Sequence, residues 1–437
     1  MNTHDPDMAS FCLECGFTEK PDEYLCPKCG AATEKRMRRW PAETDQQNLR
    51  RSGIMEGKSR PVMSGLSGNE MYCLRLKGFA PGDLVLGNSV YSLGFLGSLG
   101  AGLSSIMGGE VTQVTQVIHE GRLQAYERMV REARQHGAYG ITSVTNDLKE
   151  FHGNVEFLSI GSCVRRDDGV PNELTFSTSS DGQELYCQLD SGFMPIKFVF
   201  GNIAYSIGLG GGILGGLKSL SRGEIKEFSD VFNHTRHLAL QRMVEEAKAV
   251  RANAVVGIQT TVMPFRGTHE MMMTGTASRH PDLPAEFDAN PVTSDLTCQE
   301  MWNMVSLGYL PVKLVLGTAV YSLGIVGGLT AFLKSFTRGE VNELTSLIYE
   351  AREHAIGLIR DEASAIGADD VIGIKTHVHE LGGLLEFMAI GTAVKRFDSL
   401  QTTSPTLPAQ AIIRDKDTWI SHQQGLFGSF TSGKDGD

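Results

Sequence analysis

The sequence predicts an α+β protein: three tandem two-layer domains, each an antiparallel or mixed sheet packed against a long helix, preceded by a small N-terminal ribbon. Three observations carry this. First, an uncharged, glycine-rich stretch that runs into a long amphipathic pattern occurs three times, at Leu84–Gly109, Phe198–Leu217 and Leu314–Leu333. Second, Gly87, Tyr91, Glu110, Arg122 and Glu132 return 114 residues later as Gly201, Tyr205, Glu224, Arg236 and Glu246, and a further 116 later as Gly317, Tyr321, Glu340, Arg352 and Glu362. One spacing held over a domain's length means tandem copies of one fold, each large enough for its own core. Third, Cys12, Cys15, Cys26 and Cys29 form two CxxC pairs ahead of the repeats.

The totals agree. A chain of 437 residues is too long for one core, and 21% charge belongs to a folded protein. A net charge of -11 without a basic face excludes a general nucleic-acid binder. The opening MNTHDPDMAS is polar and reads as no signal peptide, so the expected place is the cytoplasm, with the inner face of a membrane as a peripheral extension.

Residues 1–34 are expected to form the ribbon. Ten residues separate the CxxC pairs, enough for a hairpin that gathers four thiolates of Cys12, Cys15, Cys26 and Cys29 around one structural Zn2+ per chain. A pair of redox CxxC sites is the alternative. A closed four-cysteine site has no open position for substrate, so it takes a structural role, and the ribbon offers a surface for a protein partner. Residues 35–70 read as a linker that begins with the basic run Lys35-Arg36-Met37-Arg38-Arg39-Trp40, a solvated edge of the ribbon or linker, or a patch for an anionic lipid or an RNA backbone.

The first repeat spans 71–166. Met71–Gly78 partly alternates and reads as a strand ending at glycine; Leu84–Leu86 reads as a second, turned at Gly87. A helix opens at Glu110 and stops near Gly137, with Val114, Val117, Ile118, Gly121, Ala125, Met129 and Ala133 along one side. Ile141–Leu148 and Val155–Val164 follow as two strands joined by a polar turn. A helix laid over paired strands makes the layer. The second and third repeats occupy 185–280 and 299–397. Residues 167–184 and 281–298 have the charge and proline of linkers, and 398–437 reads as a mostly flexible tail in which Trp419 and Phe427 are anchors.

The repeated segments resemble the YbjQ family, also called UPF0145. They are LVLGNSVY, FVFGNIAY and LVLGTAVY, the RGE before the helix (GGE in the first copy), the passages EEAKAVRANAVVGIQT and DEASAIGADDVIGIKT, and the closing strands with MMMTGTAS and LEFMAIGTAV. The resemblance runs from about 71 to 397; the first copy departs most, with Gly-Ala-Tyr-Gly-Ile-Thr-Ser in place of the Ala-x-x-Val-x-Gly-Ile form. It implies a compact α+β domain that assembles as a ring, of five domains in the simple case, and it implies no reaction. The family's heavy-metal label is a fold-level association.

Chemistry-bearing sets are sparse. No nucleophile, base and orienting group recur together, so an enzyme, the third reading, has no candidate site. Cys73 and Cys187 correspond, but the third copy has Asn303; Cys163 meets Ala277 and Ala393, so these thiols read as buried small side chains. His234 with His237 on a helix, and His377 with His379 on a strand beside Glu380, are pairs that would hold a transition metal if a third ligand joined them; His119, His136 and His152 of the first copy fall at other positions. A metal-binding or metal-sensing protein is therefore the second reading. Arg122 and Glu132, with their counterparts, lie about 15 Å apart along a helix. They cannot pair within it, and are expected to pair between neighbouring domains or to stay as solvated charge. The glycine runs lack Walker spacing and are no phosphate loop.

The uncharged stretches leave three readings open: buried within a domain or at a subunit seam, lying on a membrane, or spanning one. The first reading of function is a non-enzymatic, homo-oligomeric scaffold that associates through its repeats and, by the glycine-rich segments, with a lipid surface.

Overall fold

The computed structural model describes residues 10–11, 18–19, 61–92, 109–166, 168, 172–206, 223–265, 268–322, 342–381 and 384–408. The four CxxC cysteines, the basic run at 35–40, Trp419, Phe427 and most of each glycine-rich stretch lie outside these. The chain divides into two compact units, Met1–Val62 and Met63–Asp437. In the first, β1 (Ser10–Phe11) pairs antiparallel with β2 (Thr18–Glu19), and this is all the described residues show of the expected ribbon.

The second unit holds three sheet-plus-helix repeats. The first comprises α1 (Gly68–Leu76), β3 (Phe79–Ser92), β4 (Gly109–Glu110), α2 (Thr112–Gln135), β5 (Gly140–Phe151) and β6 (Asn154–Arg166). After β7 (Phe176–Ser177) come α3 (Gly182–Asp190), β8 (Met194–Ser206), β9 (Gly223–Glu224), α4 (Lys226–Ala249), β10 (Ala254–Phe265) and β11 (Thr268–Arg279). A short α5 (Glu286–Ala289) and β12 (Val292–Thr293) lead to α6 (Cys298–Ser306), β13 (Tyr309–Ser322), α7 (Asn342–Ala365), β14 (Asp370–Leu381) and β15 (Leu384–Arg396).

The strand expected at Met71–Gly78 is a helix. Ser67 accepts the N–H of Glu70 while Glu70 reaches back to the N–H of Ser67; Asp181 with Glu184 and Thr297 with Glu300 repeat this box before α3 and α6. Two orphan donors are satisfied at once, which starts a helix that alternation alone does not reveal. Gly78, at φ 79°, ends it in the left-handed conformation glycine adopts without steric cost.

Each long helix lies directly on a strand glycine. A Cβ at Gly87 would stand 2.1 Å from the Ala125 carbonyl oxygen, and one at Gly201 would stand 2.0 Å from that of Ala239. The recurring glycine of the LGxxxY segment is thus the point where helix and sheet backbones touch. The departure in the first copy also has a place. Gly257 and Gly373 sit at φ 63° and 65° in the bulges of β10 and β14, and Ser143 occupies the matching bulge of β5 at φ 56°.

The sheets do not respect the sequence repeats. Their strand orders are β3-β6-β5-β7, then β12-β10-β11-β8-β4, then β14-β15-β13-β9. The two-residue strand β4 leaves its own repeat to pair antiparallel with β8, and β9 likewise pairs with β13. In the other direction, β7 and β12, which fall in stretches that read as linkers, add parallel edges to β5 and β10. The first and second repeats therefore each lend an edge to the one after and take an edge from the segment that follows.

Two substitutions separate these backbone effects. Gly201→Ala should cost about 2–3 kcal/mol by forcing α4 off β8, whereas Ser143→Gly should stabilise by up to about 1 kcal/mol by relieving a left-handed serine. Denaturant unfolding of the two variants beside the parent reads both, and equal effects would refute the assignment.

Candidate assembly seam between repeats

Where β4 meets β8, the strand pairing runs on into the start of α2. The Val111 N–H donates to Ala204 O at 2.7 Å, and Thr115 Oγ1 accepts the Ala204 N–H at 2.9 Å. The second seam copies this: the Ile225 N–H donates to Val320 O at 2.8 Å, and Ser229 Oγ accepts the Val320 N–H at 2.9 Å.

Beneath the strand lies a buried ion pair. Arg122 on α2 donates Nε–H to Glu270 Oε1 at 3.0 Å and Nη2–H to Oε2 at 2.7 Å, although 148 residues separate the two. Its Nη1 donates to the Asn146 backbone oxygen at 2.6 Å and to Oδ1 at 3.1 Å. Arg236 on α4 grips Glu386 in the same way, with Nε at 3.0 Å and Nη2 at 2.7 Å, and also donates to the Tyr205 hydroxyl. All four charged side chains are fully buried. Burial alone would lower the pKa of Arg236, but the Glu386 carboxylate outweighs it and holds the guanidinium above its ordinary value; burial pushes the Tyr205 hydroxyl up to about 12. Such a pair gains little net stability, because desolvation offsets attraction, yet breaking one half costs about 3–5 kcal/mol. It sets register, and apolar burial supplies affinity.

That burial is one motif used twice. At the first seam, Phe198 and Phe200 of β8 pack with Tyr126, Met129, Ala133, Ala138, Ile141 and Val144. At the second, Leu314 and Leu316 of β13 pack with Leu240, Met243, Ala247, Ala252, Val255 and Ile258, the same positions one repeat later.

The expectation about the recurring charges is half met. The arginine crosses between domains, but its partner is the glutamate of the closing strand, not the helix glutamate. The latter serves its own repeat: Glu132 accepts the Leu86 N–H at 2.7 Å, and Glu362 accepts the Leu316 N–H at 3.1 Å and pairs with Lys313 at 2.6 Å. Glu362 also takes His237 Nε2 across the seam at 3.4 Å. Burial would raise the Glu362 carboxyl, but these donors hold it below the usual carboxylate range.

The histidine pairs do not form metal sites. His234 is exposed while His237 turns to Glu362 and the Asn233 carbonyl. His377 and His379 stack with ring centroids 6.3 Å apart. His119 meets Asn202 at 3.2 Å in the first seam, His136 meets Asp83 at 3.0 Å, and His152 sits in the exposed β5–β6 turn. The expected Zn2+ is corrected here: among the described residues no group of three or more His, Cys, Asp or Glu side chains is placed to hold a metal ion. Cys73, Cys163 and Cys187 are buried, and burial pushes the Cys163 and Cys187 thiols up to about 12, which disfavours their thiolates near neutral pH. No helix among the described residues is long and apolar enough to cross a membrane.

The arrangement thus joins one repeat to the next. The family described as putative heavy-metal-binding, YbjQ, matches residues 81–166, 194–280 and 310–396. This chain belongs to the YbjQ family. It is 34% identical over 229 residues to an encapsulin nanocompartment protein of Mycobacterium tuberculosis, which covers 49% of this chain and 85% of that one. Single repeats match UPF0145 proteins of Vibrio campbellii (41% over 80 residues, 18% of this chain, 77% of the relative) and Archaeoglobus fulgidus (42% over 82 residues, 18% and 76%). No solved structure matches. These relatives are named without a reaction, and homo-oligomeric assembly accords with this membership.

The second seam is acid-sensitive. Burial, and then the charge of Arg236, lowers His269; burial also lowers His379, despite Glu386. His269 Nδ1 and His379 Nε2 are buried without a hydrogen-bond partner. From the ordinary 6.5 down to the lowered values, the unfolded chain binds more protons than the folded one. The share of the seam's stability that these two histidines carry is therefore whole above that window and is lost as pH falls through it. His237, which Glu362 and the Asn233 carbonyl hold above its ordinary value despite burial, runs oppositely. The His269→Gln/His379→Gln double variant should lose less stability than the parent between neutral pH and about pH 5.5; equal losses in parallel unfolding curves would refute the assignment.

Proposed function

We propose that this YbjQ chain is a non-enzymatic scaffold whose three repeats form one stretch of a larger homo-oligomer. The observation that carries the reading is the repeated seam: a bidentate Arg–Glu pair, a lent edge strand and two apolar side chains in a matching cleft, built twice at equivalent positions. Two independent uses of one surface mark it as an association surface. The Mycobacterium tuberculosis relative is named for a nanocompartment, which agrees with an assembling chain. Light scattering on the full chain at micromolar concentration tests this: the expected mass is a multiple of the single chain, and a concentration-independent monomer overturns it.

A lipid surface is a second element of the proposal, favoured by one placement. The chain leaves β3 at Ser92 and returns at Gly109, and Gly109 pairs with Ser206, where the chain leaves β8; Gly223, where it returns, pairs with Ser322. The return of each of the first two apolar stretches thus lies beside the exit of the next. Flotation of the protein with anionic liposomes should be reduced at least severalfold by Gly212→Asp with Gly216→Asp, a large transfer penalty for two charges; unchanged flotation or none in the parent overturns lipid contact.

A further inference from the structure

The seam has two halves, and each end of the chain presents one half without its mate. On α7, Arg352 occupies the position of Arg122 and Arg236, but it is exposed and no acidic side chain among the described residues pairs with it. On β6, Glu156 occupies the position of Glu270 and Glu386; it is half-buried, bonded to Asn88 Nδ2 at 3.1 Å, and meets no arginine. Thr345, at the position of Thr115 and Ser229, is exposed as well.

The apolar parts divide the same way. Leu84 and Leu86 of β3 are 44% and 50% exposed, whereas their counterparts Phe198, Phe200, Leu314 and Leu316 are at most 1% exposed. At the far end lies a cavity of about 310 Å3, lined by Ile356, Ile359, Ala363, Ala368, Val371 and Ile374 among others. These six are the positions that hold Phe198 and Phe200 at the first seam and Leu314 and Leu316 at the second. The outer edges of β3 and β14 carry no further strand among the described residues, while β8 and β13 each take the lent pair and β5 and β10 each take a parallel one.

We infer that a second copy of this chain docks head to tail: Glu156, Leu84 and Leu86 of one copy enter the end formed by Arg352 and the α7–β14 cavity of another. This rests on the scaffold reading above and deepens it by naming the surface. Complementary charge, a cavity with its two missing side chains, and continuity with two existing seams all select the same occupant. The contact is heterologous, so it repeats until the rotation closes a ring or runs on as a filament.

Two variants and their mixture test it. Arg352→Glu sets two carboxylates against each other at the joint, and Glu156→Arg sets two guanidinium groups there. Both sites are solvent-accessible in one copy, so each variant should keep the parent's circular dichroism and melting. Each alone should associate at least about 100-fold more weakly than the parent, as expected for a desolvated charge pair made repulsive. In an equimolar mixture both joints become complementary, one native and one reversed, so assembly should return. Parent assembly that neither variant weakens, or weakening that mixing leaves unrelieved, overturns the head-to-tail joint while the scaffold reading stands. A parent that remains a single chain overturns both.

Discussion

A guanidinium buried against a carboxylate of the next repeat is the constraint around which this molecule is arranged. Neither charge would be tolerated alone at these depths, so each seam must bring α2 to β11, or α4 to β15, in one register only. The two seams satisfy the rest of the guanidinium differently. Arg122 has Asn146 for its remaining nitrogen. At the second seam Thr260 stands in that position and is too short, leaving Arg236 Nη1 and Thr260 Oγ1 both without protein partners; the Tyr205 hydroxyl takes up Nη2 instead. The pair is conserved between the two seams in its fork geometry and variable around it, which is what a register device requires.

Interlocking edges make the spatial unit differ from the sequence unit. A sheet cut at the sequence boundary would lose β4 or β7 and expose an open edge, a template for unwanted pairing. The apolar clusters cross the same boundaries, with β13 leucines packed among α4 and β10 side chains. Tandem linkage makes those two associations intramolecular, at an effective concentration of millimolar order. A joint between separate copies would have no such advantage.

Much of this was legible in the residues. The period, the long helix, the closing hairpin and the recurrence of Gly87, Gly201 and Gly317 all follow from local spacing. The arginine stood out because nothing on its own helix could pair with it. Its partner did not, because Glu156, Glu270 and Glu386 sit in strands where a lone acidic residue looks solvent-facing, and only the fold shows that this face meets another repeat. The small helices were missed because MYCLRLKG alternates like a strand, and the Ser67–Glu70 box that starts the helix lies ahead of that window. The strands β7 and β12 were hidden in stretches whose charge and proline read as linker; two-residue edges leave no periodicity.

The number of repeats limits what the assembly can be. The three domains use two seams internally and, in the proposed joint, keep one donor end and one acceptor end. Any closed assembly that engages every repeat then contains a multiple of three domains. Under the proposed joint, the five-domain ring that the family resemblance implies would need a repeat to be left out, which would expose the buried charge of Arg122 or Arg236. Under the same joint, two chains would close six domains with a turn of about 60° at each seam, whereas a single chain closing on itself would need about 120°.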